Sequence, residues 1–317
     1  MKKWMTLLFC GIVSVLIISG RDACAAEISD AGYQRITYQG SDYEYNSQIT
    51  VIMYMGIDSD GKLETYNRYS VAPRADTIDL LILDDYHKKI RLLAISRDTI
   101  ATIDRYAMNG ESRDSYETQI GYAFSYGDGG KASCENMVNA VSRLLGGVPI
   151  HEYVVTNNSS VVQANDLVGK VTVTVPNDDL TELYPEIVKG NKVTLDASCV
   201  ESFVRYRDIS VPFSNNGRME RQEEYIREYI KKFREIVQAD PERAWEQIEA
   251  MRDSMLTSIT KNQYLKLADL MGGESFSDAD CYYLEGKDVQ EELHDAFYPD
   301  EEKLQEMIVE LFYLESR

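Results

Sequence analysis

Six arginines stand beside turns, glycines or aspartates in an otherwise acidic chain: Arg74, Arg97, Arg205, Arg207, Arg218 and Arg221. On an extended segment, Arg205 and Arg207 point the same way, because side chains alternate along a strand. On a helix, Arg218 shares a face with Arg221 and Gln222, at spacings of three and four residues. Alone, each arginine is most simply a partner in a surface ion pair. As a set, converging guanidinium groups suit a phosphate or pyrophosphate, because their fork geometry matches its oxygens.

Three aspartates accompany these arginines. Asp58 ends an apolar stretch, and Asp76 and Asp79 follow Arg74 closely. Aspartates beside bound phosphates often hold Mg²⁺, which keeps several waters and bridges phosphate oxygens. The alternative for Asp58 is a turn residue or a helix cap. Together with the arginines, the aspartates are compatible with Mg²⁺ beside a bound phosphate.

Several common sites are excluded by what the 317 residues lack. No GxxxxGK[ST] or GxGxxG loop is present, which argues against a nucleotide site. No GxSxG is present either, and the three histidines have no setting for a catalytic triad. Five cysteines without a CxxC pair nearly exclude a Cys/His zinc site. A net charge of −20 argues against a nucleic-acid partner, which would require a basic surface.

The elements that would position these residues alternate between strand and helix. Periodicity and flanking turn residues predict strands at 48–55, 77–83, 89–95, 152–156 and 171–175, and helices at 129–145, 160–168, 196–204 and 218–233. The polar residues 100–120 are predicted to be a loop. The alternation predicts an α/β or α+β domain at 48–237, preceded by a polar linker at 27–47.

The last quarter of the chain, 238–317, differs in charge and pattern. It holds 20 acidic and 7 basic side chains, a net charge of −13. Helices are predicted at 241–254, 262–270 and 300–314, with a short strand at 282–284. We interpret this segment as a mainly helical C-terminal region whose acidic residues are solvated helix faces rather than a partner site.

The N-terminal residues 1–26 form a targeting segment. Lys2 and Lys3 precede an apolar run from Trp4 to Gly20, which is short for a membrane span. Small residues at 23–26 resemble a cleavage site. The segment is therefore either a single-pass anchor or a removed signal peptide. In both cases the rest of the chain lies outside the cytoplasm.

Seven short segments, five of which contain one or more of these arginines and aspartates, follow one another in a specific order: Gly56–Asp58, Arg74–Ile78, Ile95–Thr99, Ala123–Gly127, Val171–Pro176, Phe203–Arg207 and Gly217–Gln222. Any one of them is a weak signal, but the ordered set is strong. In that order, over about residues 48–235, the chain resembles the LytR-CpsA-Psr family of bacterial cell-envelope proteins. The targeting segment is also typical of the family and favours the uncleaved anchor.

The resemblance implies both a fold and an activity. The fold would be a central mixed sheet flanked by helices, with a long apolar groove for a polyprenyl tail. Members of the family transfer a glycopolymer from a polyprenyl-pyrophosphate carrier onto peptidoglycan outside the membrane. The partners would then be that lipid-linked glycan, peptidoglycan and the membrane. Two alternatives stay open: a non-catalytic carrier-binding or regulatory protein, and a polyprenyl-pyrophosphate hydrolase.

The resemblance also implies residue roles. Asp58 and Asp76 would hold Mg²⁺. The pyrophosphate would be bound by Arg74, Arg97, Arg205, Arg207, Arg218, Arg221 and Gln222. Arg97, Arg207 and Arg218 would act in catalysis, with Asp79 as an acidic partner or acceptor base.

The chain also departs from the family pattern at several positions. Ser96 replaces a proline, and Gly121 stands where asparagine is common. Residues 157–160 replace an aromatic-bearing stretch that would wall the groove. The segment between Asp58 and Arg74 is long.

Overall fold

The structure is a computed structural model that describes residues 27–28, 34–292 and 294–316. The predicted anchor or signal peptide at 1–26 lies outside the described residues. Within them, no helix has both the length and the apolar character needed to cross a membrane. Cys134, Cys199 and Cys281 are free thiols.

Sixteen strands and eight α-helices make up the described part of the chain. The strands are β1 Glu27–Ile28, β2 Gln34–Tyr38, β3 Ser41–Tyr45, β4 Ile49–Ile57, β5 Ala75–Asp84, β6 Lys89–Ala94, β7 Ile100–Tyr106, β8 Ser112–Gln119, β9 Glu152–Asn157, β10 Thr172–Thr174, β11 Lys192–Thr194, β12 Met255–Thr257, β13 Cys281–Tyr283, β14 Gly286–Gln290, β15 Asp295–Pro299 and β16 Tyr313–Glu315. The helices are α1 Tyr122–Ser125, α2 Lys131–Leu144, α3 Asn158–Leu167, α4 Val200–Arg205, α5 Ser214–Ala239, α6 Pro241–Glu249, α7 Lys261–Gly273 and α8 Glu301–Phe312.

A six-stranded mixed sheet forms the centre of the molecule, in the order β12-β9-β4-β5-β6-β13. Its middle strands β4, β5 and β6 are antiparallel neighbours, whereas β9 and β13 pair in parallel with β4 and β6. Helices cover the sheet on both faces. The predicted fold class, a central mixed sheet flanked by helices, is confirmed.

One face of the central sheet packs against the hydrophobic core, and the other face lines a cavity. Alternate residues of β4, such as Val51, Met53 and Met55, are fully buried in a core that also contains residues of α1, α2 and α8. The residues between them, Ile52 and Tyr54, point to the other face, where they line a cavity. The period of two that predicted β4 from the sequence therefore also separates the core from the cavity.

Two polar segments form strands that the sequence analysis did not predict. The predicted loop at 100–120 is wrong, because β7 and β8 pair as an antiparallel hairpin there. Five of the eight residues of β8 are exposed, so no alternation of apolar residues marks the strand. Strands β1 to β3 lie in the segment treated as a linker at 27–47, and β3 pairs with β16 near the C-terminus.

The acidic C-terminal residues are joined to the central sheet rather than set apart from it. Strand β12 pairs with β9 at one edge, and β13 pairs with β6 at the other, as the predicted short strand at 282–284 suggested. Helices α6 and α7 pack against α5. The domain boundary at 237 stays a prediction.

Candidate active site

A large cavity of about 980 Å³ lies between the central sheet and helices α3 to α7. One end is lined by five of the six predicted arginines, all except Arg221, together with Asp58 and Asp76. The other end is apolar, and its walls come largely from α5, α6, α7 and β12, among them Tyr229, Phe233, Trp245, Ile248, Met251, Met255, Leu267 and Met271. We call these the polar end and the apolar end. Such a shape suits an amphiphilic ligand with an anionic head and an apolar tail.

Three arginines converge on Asp76 at the polar end; we call Arg74, Arg97 and Arg218 the arginine cluster. Arg97 and Arg218 donate to the two different carboxylate oxygens of Asp76, the latter at 3.0 Å, and Arg74 Nε lies 3.9 Å away. Burial raises the pKa of Asp76, but the positive charges of the cluster outweigh that effect and hold the pKa below its usual range. One carboxylate therefore faces three guanidinium groups, which leaves the cluster with excess positive charge.

The cluster is supported by close backbone packing. Gly121 donates its N–H to Arg97 O at 3.0 Å and accepts from Ala75 N–H at 3.1 Å. A side chain on Gly121 would bring its Cβ to 2.6 Å from Ala75 O and 3.2 Å from Arg74 Cγ. The glycine at this departure from the family pattern therefore allows the two chain segments that carry the cluster to approach closely.

Arg207 adds to the positive charge of the arginine cluster at the polar end. Arg207 lines the cavity and makes no ion pair or hydrogen bond within the described residues, so its charge is available to a ligand. Burial, followed by repulsion from Arg97, lowers the pKa of Arg207. Burial also lowers the pKa of Arg218 to about 10, although Asp76 opposes the shift. Both arginines stay charged at neutral pH, and a bound anion would relieve their mutual repulsion.

The rim of the polar end holds the pair Arg205 and Asp58. Arg205 Nη2 lies 3.1 Å from Asp58 Oδ1 and the same guanidinium also binds Glu201. Asn158, in the stretch that departs from the family pattern, donates to Asp58 at 3.2 Å. The Asp58 carboxylate is 57% exposed. This pair is therefore accessible from solvent, unlike the arginine cluster.

The structure places Arg221 outside this group. Its side chain is fully buried and does not line the cavity. It donates to the carbonyl oxygens of Phe203 and Tyr206 and to Asp179. Its neighbour Gln222 lines the cavity and donates to Val204 O at 2.9 Å. Arg221 therefore fixes the segment before Arg207 in place instead of facing a ligand, which spacing along a helix could not reveal.

Asp79 lies in the cavity but away from the arginine cluster. It stands three residues beyond Asp76 on β5, which is roughly 10 Å of strand, between the cavity residues Thr77 and Leu81. It is 5% exposed, and its Oδ2 has no hydrogen-bond partner in the described structure. Burial, with a contribution from the charge of Glu223, raises the pKa of Asp79 to about 7.

The carboxylates at the polar end provide few ligands for a metal ion. Among residues 34–292 and 294–316, no three His, Cys, Asp or Glu side chains are grouped to hold one. Asp58 and Asp76 nevertheless line the same cavity, and Asp58 N–H lies 3.4 Å from Arg74 O, so the two strand ends are adjacent. Mg²⁺ is commonly held by one or two carboxylates, with phosphate oxygens and waters completing the shell. The donor set fits Mg²⁺ in that mode, with a phosphate ligand present.

Sequence reasoning did not identify most of the apolar end. Trp245 and Leu267 lie in segments whose apolar spacing predicted helices, but nothing in that spacing shows that a helix faces a cavity instead of a core. Asn215, which contacts the arginine cluster, gave no signal at all.

Comparisons with known proteins identify the family of the chain and solved structures that are similar to it. The model of the LytR_cpsA_psr family matches residues 17–312. Biofilm regulatory protein A of Streptococcus mutans serotype c is 26% identical over 204 residues, which are 62% of this chain and 47% of that protein. The chain therefore spans about half the length of the curated relative it matches.

Solved structures share the fold at low sequence identity. TagV of Bacillus subtilis is 21% identical, with a TM-score of 0.61 over 83% of this chain and 96% of that chain. TagT, also from Bacillus subtilis, is 18% identical in a structure bound to LI-WTA, with a TM-score of 0.61 over 84% of this chain and 90% of that one. These similarities show that the central sheet and its flanking helices form a fold shared with both proteins.

Proposed function

The chain belongs to the LytR_cpsA_psr family, and we propose that it transfers a glycopolymer, as a glycosyl phosphate, from a polyprenyl-pyrophosphate carrier to peptidoglycan. Family membership supports glycopolymer transfer in cell-wall assembly as the general activity. The specific carrier and acceptor are the proposal. The N-terminal segment at 1–26 would place the catalytic part of the chain outside the cytoplasm, at the membrane, where both substrates would be found.

The observation that carries the proposal is that the arginine cluster stands at one end of a cavity whose other end is apolar. A polyprenyl pyrophosphate has the matching shape, with two phosphates at the end of a long hydrocarbon. Its tail would be removed from water by the apolar end, while its head would replace Asp76 as the partner of the guanidinium groups. A free sugar phosphate or nucleotide would leave the apolar end unused.

In the proposed reaction, a hydroxyl oxygen of the acceptor attacks the phosphorus next to the sugar. A new O–P bond forms while the bond from that phosphorus to the bridging oxygen breaks, and polyprenyl phosphate leaves with the electron pair. The hydroxyl proton passes to water. Arg97, Arg207 and Arg218 hold the pyrophosphate oxygens and stabilise the negative charge that develops on the leaving phosphate. Arg74 and Arg205, with Gln222, position the head group.

Asp58 and Asp76 would hold Mg²⁺ together with the pyrophosphate. The ion would neutralise charge on the phosphate oxygens, as it does in other phosphoryl-transfer sites. Asp76 would hold the ion in place of its arginine contacts, and the phosphates would give the guanidinium groups new partners. The pKa of Asp76, which lies below its usual range, keeps that carboxylate ionised for the exchange.

The position of Asp79 does not support its predicted role as acceptor base. A base must reach the attacking hydroxyl within about 3 Å, and the acceptor enters at the arginine cluster, whereas Asp79 lies further along β5 among residues of the cavity wall. A pKa of about 7 is suitable for a base, but position decides first. We therefore propose that the transfer depends on the arginines and that Asp79 is part of the groove.

The test is a transfer assay with the purified full-length chain, a lipid-linked glycan and peptidoglycan. We expect Mg²⁺-dependent release of polyprenyl phosphate together with a covalent glycan–peptidoglycan product. Release in the absence of peptidoglycan, with a free glycosyl phosphate as product, would instead identify a hydrolase. Binding of the carrier with no release under any condition would identify a non-catalytic carrier-binding protein.

A further inference from the structure

A buried carboxylate, Asp98, stands directly behind the arginine cluster. Asp98 is 6% exposed and is not among the residues that line the cavity. Its Oδ1 accepts a hydrogen bond from Gln119 Nε2 at 2.7 Å, and its Oδ2 accepts one from Asn215 Nδ2 at 2.8 Å. Arg97 Nε lies 3.5 Å from the same carboxylate. Both carboxylate oxygens of Asp98 thus accept hydrogen bonds from neutral amides, and the carboxylate lies beside one arginine of the cluster.

Each of the two amides uses its oxygen to hold another arginine of the cluster. Gln119 Oε1 accepts from Arg74 Nη1 at 3.1 Å, and Asn215 Oδ1 accepts from Arg218 Nη2 at 2.5 Å. An amide whose nitrogen is fixed by a carboxylate must present its oxygen to a donor. Asp98 therefore sets the orientation of both amides and, through them, the positions of two guanidinium groups.

The hairpin β14–β15 in the acidic C-terminal region completes the same network. Phe297 donates its N–H to Asp98 O at 2.8 Å, and Gln119 Nε2 donates a second hydrogen bond to Asp295 O at 2.7 Å. Asp295 Oδ2 accepts from Phe213 N–H at 2.9 Å, at the residue that precedes α5. Phe213 has a left-handed φ of 58°, so this contact stabilises an otherwise unfavourable turn into the helix that carries Arg218.

We propose that Asp98 is a positioning residue that keeps the arginine cluster converged through Gln119 and Asn215, and that the C-terminal hairpin braces it. The inference rests on the proposed function, because it assigns Asp98 to the site that would bind the pyrophosphate. Misplacement of a charged group by about 1 Å can lower a rate by about 100-fold. A carboxylate that fixes both amides from behind limits such movement.

Exchanging the donor and acceptor groups tests the proposal. Asp98→Asn leaves one acceptor oxygen for two donating amides, so one hydrogen bond is lost. Asn215→Asp brings two carboxylates together. The double variant Asp98→Asn/Asn215→Asp lets the new amide donate to the new carboxylate, and it restores both the hydrogen bond and the net charge. A matched control is Asp288→Asn, which alters an exposed Asn216–Asp288 bond of 2.7 Å between the same helix and hairpin.

We expect kcat/KM for transfer to fall by about 100-fold in each single variant and to return to within about tenfold of wild type in the double variant, with the control unchanged. Melting temperatures are measured for all four variants, because a purely structural role would lower stability without a matching loss and recovery of kcat/KM. Wild-type transfer in Asp98→Asn, or no recovery in the double variant, would overturn the proposal.

Two readouts separate failure of this inference from failure of the proposed function. Calorimetric affinity for inorganic pyrophosphate reports on the cluster without any transfer, and it should follow the same order of loss and recovery. If the wild-type protein binds no pyrophosphate, the proposed function fails. The role of Asp98 as a positioning residue can then still be tested with ligand-free crystal structures. In those structures, the guanidinium group of Arg218 should be displaced from its wild-type position in Asp98→Asn and should return to that position in the double variant. A guanidinium group that keeps its wild-type position in Asp98→Asn contradicts the proposal.

Discussion

The polar and apolar ends of the cavity are built in opposite ways. At the polar end, Arg74, Arg97 and Arg218 come from separate parts of the chain, yet each lies in a short recognisable motif and donates to a side-chain oxygen of Gln119 or Asp76. At the apolar end, the wall is spread over α5, α6, α7 and β12, and its residues make mainly apolar contacts. The polar end thus depends on directed contacts between few residues, and the apolar end depends on the shape made by many.

This difference predicts how each end responds to substitution. A directed contact is lost completely when one partner is removed, and a buried charge left unpaired adds a further cost. An apolar wall loses or gains only volume, and neighbouring side chains share the change. Single substitutions should therefore act strongly on transfer at the polar end and mainly on carrier preference at the apolar end.

The largest effect is expected from Arg218→Ala. Its guanidinium is buried against Asp76 and Asn215 and would contact the leaving phosphate. Loss of a charge-stabilising donor typically lowers kcat by about 100- to 1,000-fold, which a transfer assay measures directly. Arg252→Ala removes an exposed arginine from the acidic region and should leave transfer unchanged. Full transfer by Arg218→Ala would show that the polar end is not the site of the reaction.

Asp58→Asn is expected to have a smaller effect that Mg²⁺ can partly reverse. The substitution keeps the size of the side chain but removes the negative charge that would attract the ion. We expect the Mg²⁺ concentration that gives half-maximal transfer to rise by at least about tenfold. Because Asp58 also pairs with Arg205, the control is Arg205→Gln, which breaks the same pair from the other side. An unchanged Mg²⁺ requirement in Asp58→Asn would show that Asp58 does not hold the ion.

The sequence was informative about the polar end for a physical reason. Arg97, Arg207 and Arg218 are set by chemistry that few residue types can supply, so their identity and order carry the signal. Strand β4, which ends beside Asp58, could also be predicted, since its residues alternate between the core and the cavity. Arg221 shows the limit of this reasoning. Its motif and spacing matched those of its neighbours, but only the fold shows that it points into the protein.

Two other parts of the molecule, β8 and the contacts of the C-terminal hairpin, could not be predicted because they depend on neighbouring segments and not on a local pattern. The polar strand β8 has no apolar alternation, and it forms because β7 lies beside it. The acidic residues after 238 were interpreted as solvated helix faces, yet Asp295 and Phe297 contact the network behind the arginine cluster. Net charge carried no information about which backbone groups of this region meet the site.

At the apolar end, Ala268→Phe should change carrier preference with little effect on short substrates. Ala268 is nearly buried on α7 and lines the cavity, so a phenyl ring there fills part of the space for the tail. We expect KM for a long-chain carrier to rise by about tenfold while kcat and the KM for a short-chain carrier stay close to wild type. Ala250→Phe adds the same ring on the surface and is the control. An equal rise in KM for both carriers would mean that the tail lies elsewhere.

Asp79→Asn should have the smallest effect on transfer, although Asp79 lies in the same cavity. The pKa of Asp79 in the folded chain is about 7, because burial disfavours its charge, whereas an unfolded aspartate has a pKa of about 3.9. The unfolded state therefore loses this proton first as pH rises, and the folded state is progressively destabilised between about pH 4 and pH 7, with no further change above that.

Asp79→Asn removes that destabilisation, so its advantage in free energy of unfolding should grow from near zero at pH 4 to a plateau above pH 7, on the order of 4 kcal/mol. Chemical unfolding of both proteins across this range measures the difference. Glu274→Gln is the control, because the pKa of Glu274 is also raised to about 7 by burial, outside the cavity. If Asp79→Asn also reduces transfer by 100-fold, Asp79 takes part in catalysis together with the residues of the polar end. A loss below about threefold would instead indicate that transfer depends on the arginines. Asp79 would then be a buried carboxylate whose charge destabilises the folded protein and is not needed for transfer.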